Sequence, residues 1–239
     1  MARVRVIPAI CSFASNLSKV PVMTRDTAYI PALRFYSLTR IFDPLLRALL
    51  KDEKFRGRLI TQADIKSDQC VLDIGCGTGT LALLINRAVP GAKIVGIDGD
   101  PDILRIARDK TARAGADITF IEGLAYEVPL PSASCDCVVS SLVLHHLTTE
   151  SKRGMLTEVF RLLRPGGTLH IADWGQAQNL LMRAAFFGVQ LLDGFETTAD
   201  SVGGRLVSLL VETGFANVQE THHEMTLLGT FSLYRATRP

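Results

Sequence analysis

The stretch Cys70-Val71-Leu72-Asp73-Ile74-Gly75-Cys76-Gly77-Thr78-Gly79 constrains this chain more than any other. Cys70 to Ile74, apolar except for Asp73, reads as a short buried strand. Glycine at every second position behind it lets the backbone turn sharply and come close to a ligand. Residues 80–89 then read as a helix, stopped by Pro90-Gly91. The same alternation continues with strands at 93–98, 117–122, 136–141 and 168–173. Helices at 102–114 and 152–163 lie between them, the first opened by Pro101 and closed by Gly115. Strands alternating with helices of this length predict a parallel sheet covered on both faces. The end departs from the pattern. A helix at 203–213 precedes two strands, 217–225 and 229–236, with Gly229 between them. Two neighbouring strands joined this tightly pair antiparallel. The expected fold class is therefore α/β: a doubly wound seven-stranded sheet, mostly parallel, with an antiparallel edge strand.

Composition sets outer limits. With 239 residues, 47% hydrophobic and 21% charged, the chain is an ordinary globular protein with enough length for a sizeable core. A net charge of +2 gives no reason to expect nucleic acid as a partner. No apolar run is long enough for a membrane-spanning helix. The charge is uneven, however. Residues 1–58 hold eleven basic and four acidic residues, a local charge of +7, leaving −5 for the rest. The first acid is Asp26, and Ser12, Ser15 and Ser18 lie in the acid-free stretch. That composition is shared with organelle transit peptides. The plainer reading is a loose extension ahead of Met23. Residues 1–28 are expected to be an extension, 29–66 a helical cap, and 67–239 the main domain. Five cysteines without framework spacing point to a reducing compartment, and a cytoplasmic location is the expectation.

In open parallel sheets ligands bind beyond the carboxyl ends of the strands. Asp98, nineteen residues after Gly79, ends the second strand where a carboxylate can accept both hydroxyls of a ribose. The glycine turn alone fits two nucleotide classes, since Gly77-x-Gly79-x-x-Ala82 matches a loose dinucleotide pattern. Asp73 weighs against a dinucleotide, because it would repel a pyrophosphate at the helix N-terminus. The same carboxylate suits an amino group, and S-adenosylmethionine joins an adenosine to an amino-acid end.

The run from Val71 to Gly79 resembles the first motif of the class I S-adenosylmethionine-dependent methyltransferases. Val95-Gly96-Ile97-Asp98, Gly123-Leu124-Ala125 with Val128-Pro129-Leu130-Pro131, Leu144-His145-His146-Leu147, and Leu162-Leu163-Arg164-Pro165-Gly166-Gly167 resemble later motifs in the same order. The resemblance implies S-adenosylmethionine as cofactor, held by Asp73, Gly75, Cys76, Gly77, Gly79, Asp98, Gly99, Leu124, Ala125 and Ser141. It implies a small-molecule methyl acceptor, as in the ubiquinone and menaquinone methyltransferases. One departure is Leu124, where the family usually carries an acid facing the adenine amino group. A hydrophobic adenine slot is expected instead.

The resemblance puts His145 near the methyl-transfer site, as a general base if the acceptor is a hydroxyl. Tyr36, His146, Asp173 and Trp174 are the expected acceptor contacts. Asp173 has an equal alternative as a cap for the loop after its strand. Phe42-Asp43 stands in the cap segment where relatives often carry a Tyr-Asp pair. Adjacent histidines on an α-helix point about 100° apart, so no metal site is expected from His145 and His146. Cys135 and Cys137 read as core, and His222 and His223 as opposite faces of one strand. No Ser-His-Asp nucleophile elbow and no Walker lysine accompanies the turn. The alternatives that stay open are a nicotinamide-dependent oxidoreductase and a non-catalytic cofactor-binding protein. The acceptor atom (O, C or N) and the oligomeric state are not read from the sequence.

Overall fold

The computed structural model describes residues 52–239. The expected extension, Tyr36, Phe42-Asp43 and residues 29–51 of the expected cap lie outside the described residues. The first described helix, α1 (Asp52–Ala63), leads into β1 (Cys70–Ile74), α2 (Thr80–Ala88), β2 (Lys93–Asp98), α3 (Pro101–Arg113) and β3 (Ile118–Glu122). Then follow β4 (Cys135–Ser141), a single 3₁₀ turn (Leu144–His146), α4 (Thr149–Leu162) and β5 (Leu163–Trp174). The chain ends with α5 (Leu180–Asp193), α6 (Phe195–Gly203), α7 (Leu206–Glu212), β6 (Ala216–Thr226) and β7 (Gly229–Thr237).

The seven strands form one sheet in the order β3-β2-β1-β4-β5-β7-β6. β7 runs antiparallel to both β5 and β6. The other pairings are parallel. β1 is buried at every position, as expected of a central strand covered on both faces. The order reverses between β1 and β4, so the carboxyl ends of these two strands flank the crevice where ligands bind in such sheets.

Two cores sandwich the sheet. Leu72, Val138, Met155, Val159, Leu169 and Leu209 fill one, under α4 and α7. Phe55, Leu59, Leu81, Ile85, Val139 and Phe231 fill the other, under α1 and α2. α1 is thus built into the domain, with the Phe55 and Phe231 rings 4.2 Å apart. Its polar side reaches β6, where Lys54 and Arg58 pair with Glu224. His222 is half-buried and bonds Arg58, while His223 is exposed, as strand alternation requires.

β5 starts earlier than its apolar pattern indicates. Leu163 already pairs with Cys135, and a register shift takes up the Pro165-Gly166-Gly167 corner before regular pairing resumes. The helices α5 and α6 were not anticipated. α5 carries apolar residues on several faces, including exposed Leu180, Leu181 and Leu191, so its buried stripe of Met182, Phe186 and Val189 does not stand out in the sequence. Its ends were nevertheless marked. Asn179 accepts a bond from the Met182 N–H at 2.9 Å, and Gly194 follows the last residue.

Candidate cofactor and acceptor site

The glycine turn is held by its own backbone. Gly75 and Cys76 N–H groups both donate to the Ile97 carbonyl, at 2.8 and 2.9 Å. Gly75, Gly77 and Gly79 all have positive φ, at 70°, 52° and 70°. The two ends of this turn differ in what a side chain would meet. A Cβ on Gly75 would run into Val143, whereas one on Gly77 would meet nothing within 4 Å. Gly77 therefore forms an open backbone cradle, and only glycine takes its φ without strain.

Asp98 closes that cradle. Its Oδ2 accepts from Gly77 N–H at 2.9 Å and its Oδ1 from Asp100 N–H at 3.0 Å. Half-buried Gly99 stands between them in the chain, and its N–H also favours the charged carboxylate. Burial nonetheless outweighs these bonds and holds the Asp98 pKa above the ordinary carboxylate value. Asp73, only 1% exposed, is a second unusual acid. Burial raises its pKa to about 7, against the pull of Arg56 and an Ala82 N–H bond. Its Oδ2 has no hydrogen-bond partner among the described residues. A buried carboxylate oxygen left this way suits a cationic ligand group. The cradle, the Asp98 carboxylate at the end of β2 and the orphaned Asp73 oxygen together fit S-adenosylmethionine.

The other expected cofactor residues are arranged less directly. The Cys76 side chain turns into a small core with Leu104, Ala107 and Phe120, so only its backbone faces the turn. Burial and neighbouring Asp73 and Asp98 push its thiol pKa up. The Gly123-Leu124 loop is tied beside Asp98 by a 3.0 Å bond from Gly123 N–H to the Asp98 carbonyl. The Leu124 carbonyl accepts from Glu127 N–H at 3.0 Å, so it is already engaged within the turn. Leu124 and Ala125, the residues expected to line an apolar adenine slot, are both half-buried. Ser141 ends β4, half-buried and level with Ala172 of β5.

At the ends of β4 and β5 the site is built from side-chain charges. Asp173 is buried and collects four donors. Its Oδ2 takes Val143 and Leu144 N–H at 3.1 and 2.8 Å, and its Oδ1 takes Trp174 N–H and His145 Nδ1, both at 2.7 Å. Burial tends to raise its pKa, but the His145 charge and these bonds hold it below the ordinary carboxylate range. An ionised Asp173 fixes the proton on His145 Nδ1. Asp173 thus caps the 3₁₀ turn and orients His145.

His145 is the base expected from the sequence. It is 4% exposed, with Nδ1 on Asp173 and Nε2 at 3.7 Å from Asp193 Oδ2. Burial works to lower its pKa, but Asp173 and Asp193 outweigh it and raise it. Nδ1 is bonded to Asp173 and Nε2 faces Asp193, so both ring nitrogens stand against carboxylates. Neighbouring His146 is the opposite case. Burial and the His145 charge lower its pKa well below the usual value, so it is neutral. Its Nδ1 lies 3.7 Å from Asp193 Oδ1. The expectation that adjacent histidines diverge assumed an α-helix. On the 3₁₀ turn the rings lie 3.9 Å apart and tilt by 43°, and both present a nitrogen to Asp193. Trp174 also departs from expectation. It packs against Phe186 at 5.5 Å and Phe231 at 5.8 Å, inside the core.

Asp193 was missed because its helix was missed. A buried ion pair sets its position. Lys152 on α4 donates to Asp200 Oδ2 at 2.9 Å and to the Thr197 carbonyl at 2.7 Å, clamping α6 and so the Asp193-Gly194 junction. Lysine in a charged helix such as α4 reads as a surface residue, and nothing local marks it as buried.

Comparison with known proteins agrees with this geometry. A family model described as a methyltransferase domain matches residues 71–167. A ubiquinone/menaquinone biosynthesis C-methyltransferase UbiE of Pseudomonas putida is 31% identical over 201 residues, covering 75% of this chain and 77% of that protein. A demethylmenaquinone methyltransferase of Thermus thermophilus is 35% identical over 133 residues, covering 54% of this chain. The matched region spans 60% of the Thermus protein. A phosphoethanolamine N-methyltransferase of Haemonchus contortus, solved with S-adenosyl-L-methionine, shares the fold with a TM-score of 0.60 and 16% identity, over 73% of this chain and 50% of that one. A site made for a sulfonium nucleoside, on this sheet order and with these relatives, has one assignment: the chain belongs to the class I S-adenosylmethionine-dependent methyltransferases, in their ubiquinone/menaquinone-biosynthesis branch, and methylates a small-molecule acceptor.

Proposed function

We propose that this enzyme methylates a ring carbon of a hydroquinone, acting on the reduced ring and not on the quinone. The observation that carries the reading is the likeness to a C-methyltransferase over 77% of that protein's length. Chemistry supplies the redox state. A methyl group on sulfonium is an electrophile, and a ring carbon beside a hydroxyl is nucleophilic only when the ring is reduced. Exposed Leu180, Leu181 and Leu191 along α5 suit a lipophilic acceptor nearby.

When bound, S-adenosylmethionine supplies the activated methyl group. The chain's own work is alignment and exclusion of water. In this reading Asp98 accepts the ribose hydroxyls and Asp73 Oδ2 faces the amino group. The Gly75–Gly79 turn and Gly99 shape the cradle, with Cys76 contributing backbone alone. Leu124 and Ala125 back the adenine, and Ser141 closes the β4 end. His145, His146 and Asp193 receive the hydroxyl end of the acceptor and take its proton, with Asp173 holding His145 from behind. The proposed division of the chain is an extension over 1–28, a cap over 29–66 that includes Tyr36 as an acceptor contact, and the methyltransferase domain over 67–239. No described helix is long and apolar enough to cross a membrane, and the proposed location is cytoplasmic.

The test uses S-adenosylmethionine with a deuterated methyl group and four acceptors: a short-chain demethylmenaquinol, its quinone, a catechol and a primary amine. Mass spectrometry and proton NMR should find the label on carbon, and only with the quinol. A methyl ether, an N-methyl product, or equal turnover of the oxidised quinone would overturn the reading.

A further inference from the structure

We propose that His145, His146 and Asp193 form a binding site for a divalent transition-metal ion of the zinc class, with Asp173 positioning His145 behind it. The three residues each offer a ligand atom, and these atoms lie within 4.8 Å of one another. His145 Nε2 and His146 Nδ1 stand 3.7 Å from the two different oxygens of Asp193. Both separations are too long for hydrogen bonds. They are close to what a shared ion requires. Bonds of about 2.0–2.1 Å to nitrogen and oxygen, at tetrahedral angles, put ligand atoms roughly 3.4 Å apart. The three ligand atoms, within 4.8 Å of one another, would draw together around an ion.

The surroundings match a metal centre in two further ways. First, the 2.7 Å bond from His145 Nδ1 to Asp173 is the carboxylate–histidine arrangement that orients an imidazole toward an ion. It turns Nε2 outward and fixes the tautomer. Second, Asp193 ends α5, whose last turn holds no basic residue. A carboxylate at the negative end of a helix is unfavourable without a cation beside it. Facing this cluster are Asp173 from β5, Asp193 from α5, and Lys152 from α4, and Lys152 already pairs with Asp200. Two carboxylates thus meet two imidazoles at one point, and a divalent ion balances them.

Two imidazoles and one carboxylate leave a coordination position open. The His146 and Asp193 side chains are 23% and 11% exposed, so that position is reachable. A ligand of matching chemistry is an oxygen anion. If the hydroquinone reading above holds, on which this last step rests, the occupant is the hydroxyl oxygen next to the methylated carbon. The ion would lower the pKa of that hydroxyl.

The test is a titration of chelator-treated full-length protein with Zn²⁺ alone, read by competition with a chromophoric chelator, and with Co²⁺, read by visible absorption. One site per chain with micromolar or tighter affinity is expected. His146→Gln and Asp193→Asn should each weaken it at least about 100-fold, and Asp173→Asn about 10- to 100-fold. S-adenosylhomocysteine affinity, measured in parallel, should stay within about twofold for all three and so reports folding. Absence of saturable binding below about 100 µM, or binding that ignores both ligand substitutions, would overturn the proposal. Neither titration uses an acceptor, so failure to methylate a quinol leaves this result untouched, and failure to bind metal leaves the methylation assay to be read separately.

Discussion

The two halves of the site are built by different means. The cofactor half lies between Asp73 and Asp98 and is made of backbone. Glycine dihedrals shape it, and main-chain N–H groups hold its key carboxylate. The proposed acceptor half draws His145, Lys152, Asp173, Asp193 and Asp200 from five separate segments, and its order comes from buried charge meeting buried charge. A backbone device tolerates side-chain drift around it. A buried charge network does not, because each member left alone carries the full cost of desolvation.

The largest test of that contrast is Lys152→Ala. It leaves buried Asp200 with only a Thr149 hydroxyl at 2.8 Å and Arg205 at 3.6 Å, and losing the main partner of a buried pair costs up to about 3–5 kcal/mol. For a chain of this size that lowers Tm by roughly 10 °C, at about 2–4 °C per kcal/mol. The double variant Lys152→Met with Asp200→Leu should recover most of the loss, since it removes both charges. At a temperature where the single variant is still folded, S-adenosylhomocysteine affinity should hold while acceptor turnover falls. A Tm loss of only a degree or two would show the pair to be solvated and the contrast false.

Next in size is Asp98→Ala. It removes a charged acceptor whose hydrogen bonds to a ligand are worth roughly 1.5–3 kcal/mol each. Calorimetry should find cofactor affinity down by at least about tenfold, with metal binding at the other half unchanged. An equal loss of both would mean that the halves are coupled through the β1–β4 crevice.

Asp73→Asn should move stability and affinity in opposite directions. The folded pKa of Asp73 is about 7, above the unfolded value of about 3.9. Between those values the folded state binds more protons than the unfolded one, so stability falls as pH rises through the window from about 4 to 7. The penalty is then fully present above pH 7. Asparagine has no charge to desolvate. The ligand-free variant should therefore melt about 2 °C or more higher at pH 8, with little difference near pH 4, while its affinity for S-adenosylmethionine drops. A lower Tm at pH 8 would show that the carboxylate is stabilised there by something other than ligand.

What the sequence made legible follows the same division. The turn at Gly75–Gly79, Asp98 and the strand–helix alternation are local, with periods and spacings set by backbone geometry. The acceptor half depends on α5, whose apolar residues face several directions, and on a lysine whose burial is a tertiary fact. His145 is legible in the sequence, but its flanking carboxylates, Asp173 and Asp193, are brought to it only by the fold. Trp174 reads as a ligand contact from its place at a strand end, and only packing against Phe186 and Phe231 assigns it to the core.

Leu124 gives the smallest expected effect and the finest test. The family usually offers an acid at this position, so Leu124→Asp restores an acceptor for the adenine amino group. One added hydrogen bond contributes about 0.5–1.5 kcal/mol. Against it stands the half-buried leucine, whose lost apolar contact costs a similar amount, at about 0.8 kcal/mol per CH₂ removed from water. The loop geometry should survive, because the bonds that shape it run between the Leu124 carbonyl and Glu127 N–H and from Gly123 N–H to Asp98, all main chain. The two contributions nearly cancel, and cofactor affinity should shift by no more than about threefold in either direction. A gain beyond tenfold would show that the slot is polar and that leucine is a defect tolerated there. A loss beyond tenfold would show that the apolar wall is itself the means of holding adenine, making this corner the one place where the cofactor half depends on a side chain's packing and not on the backbone.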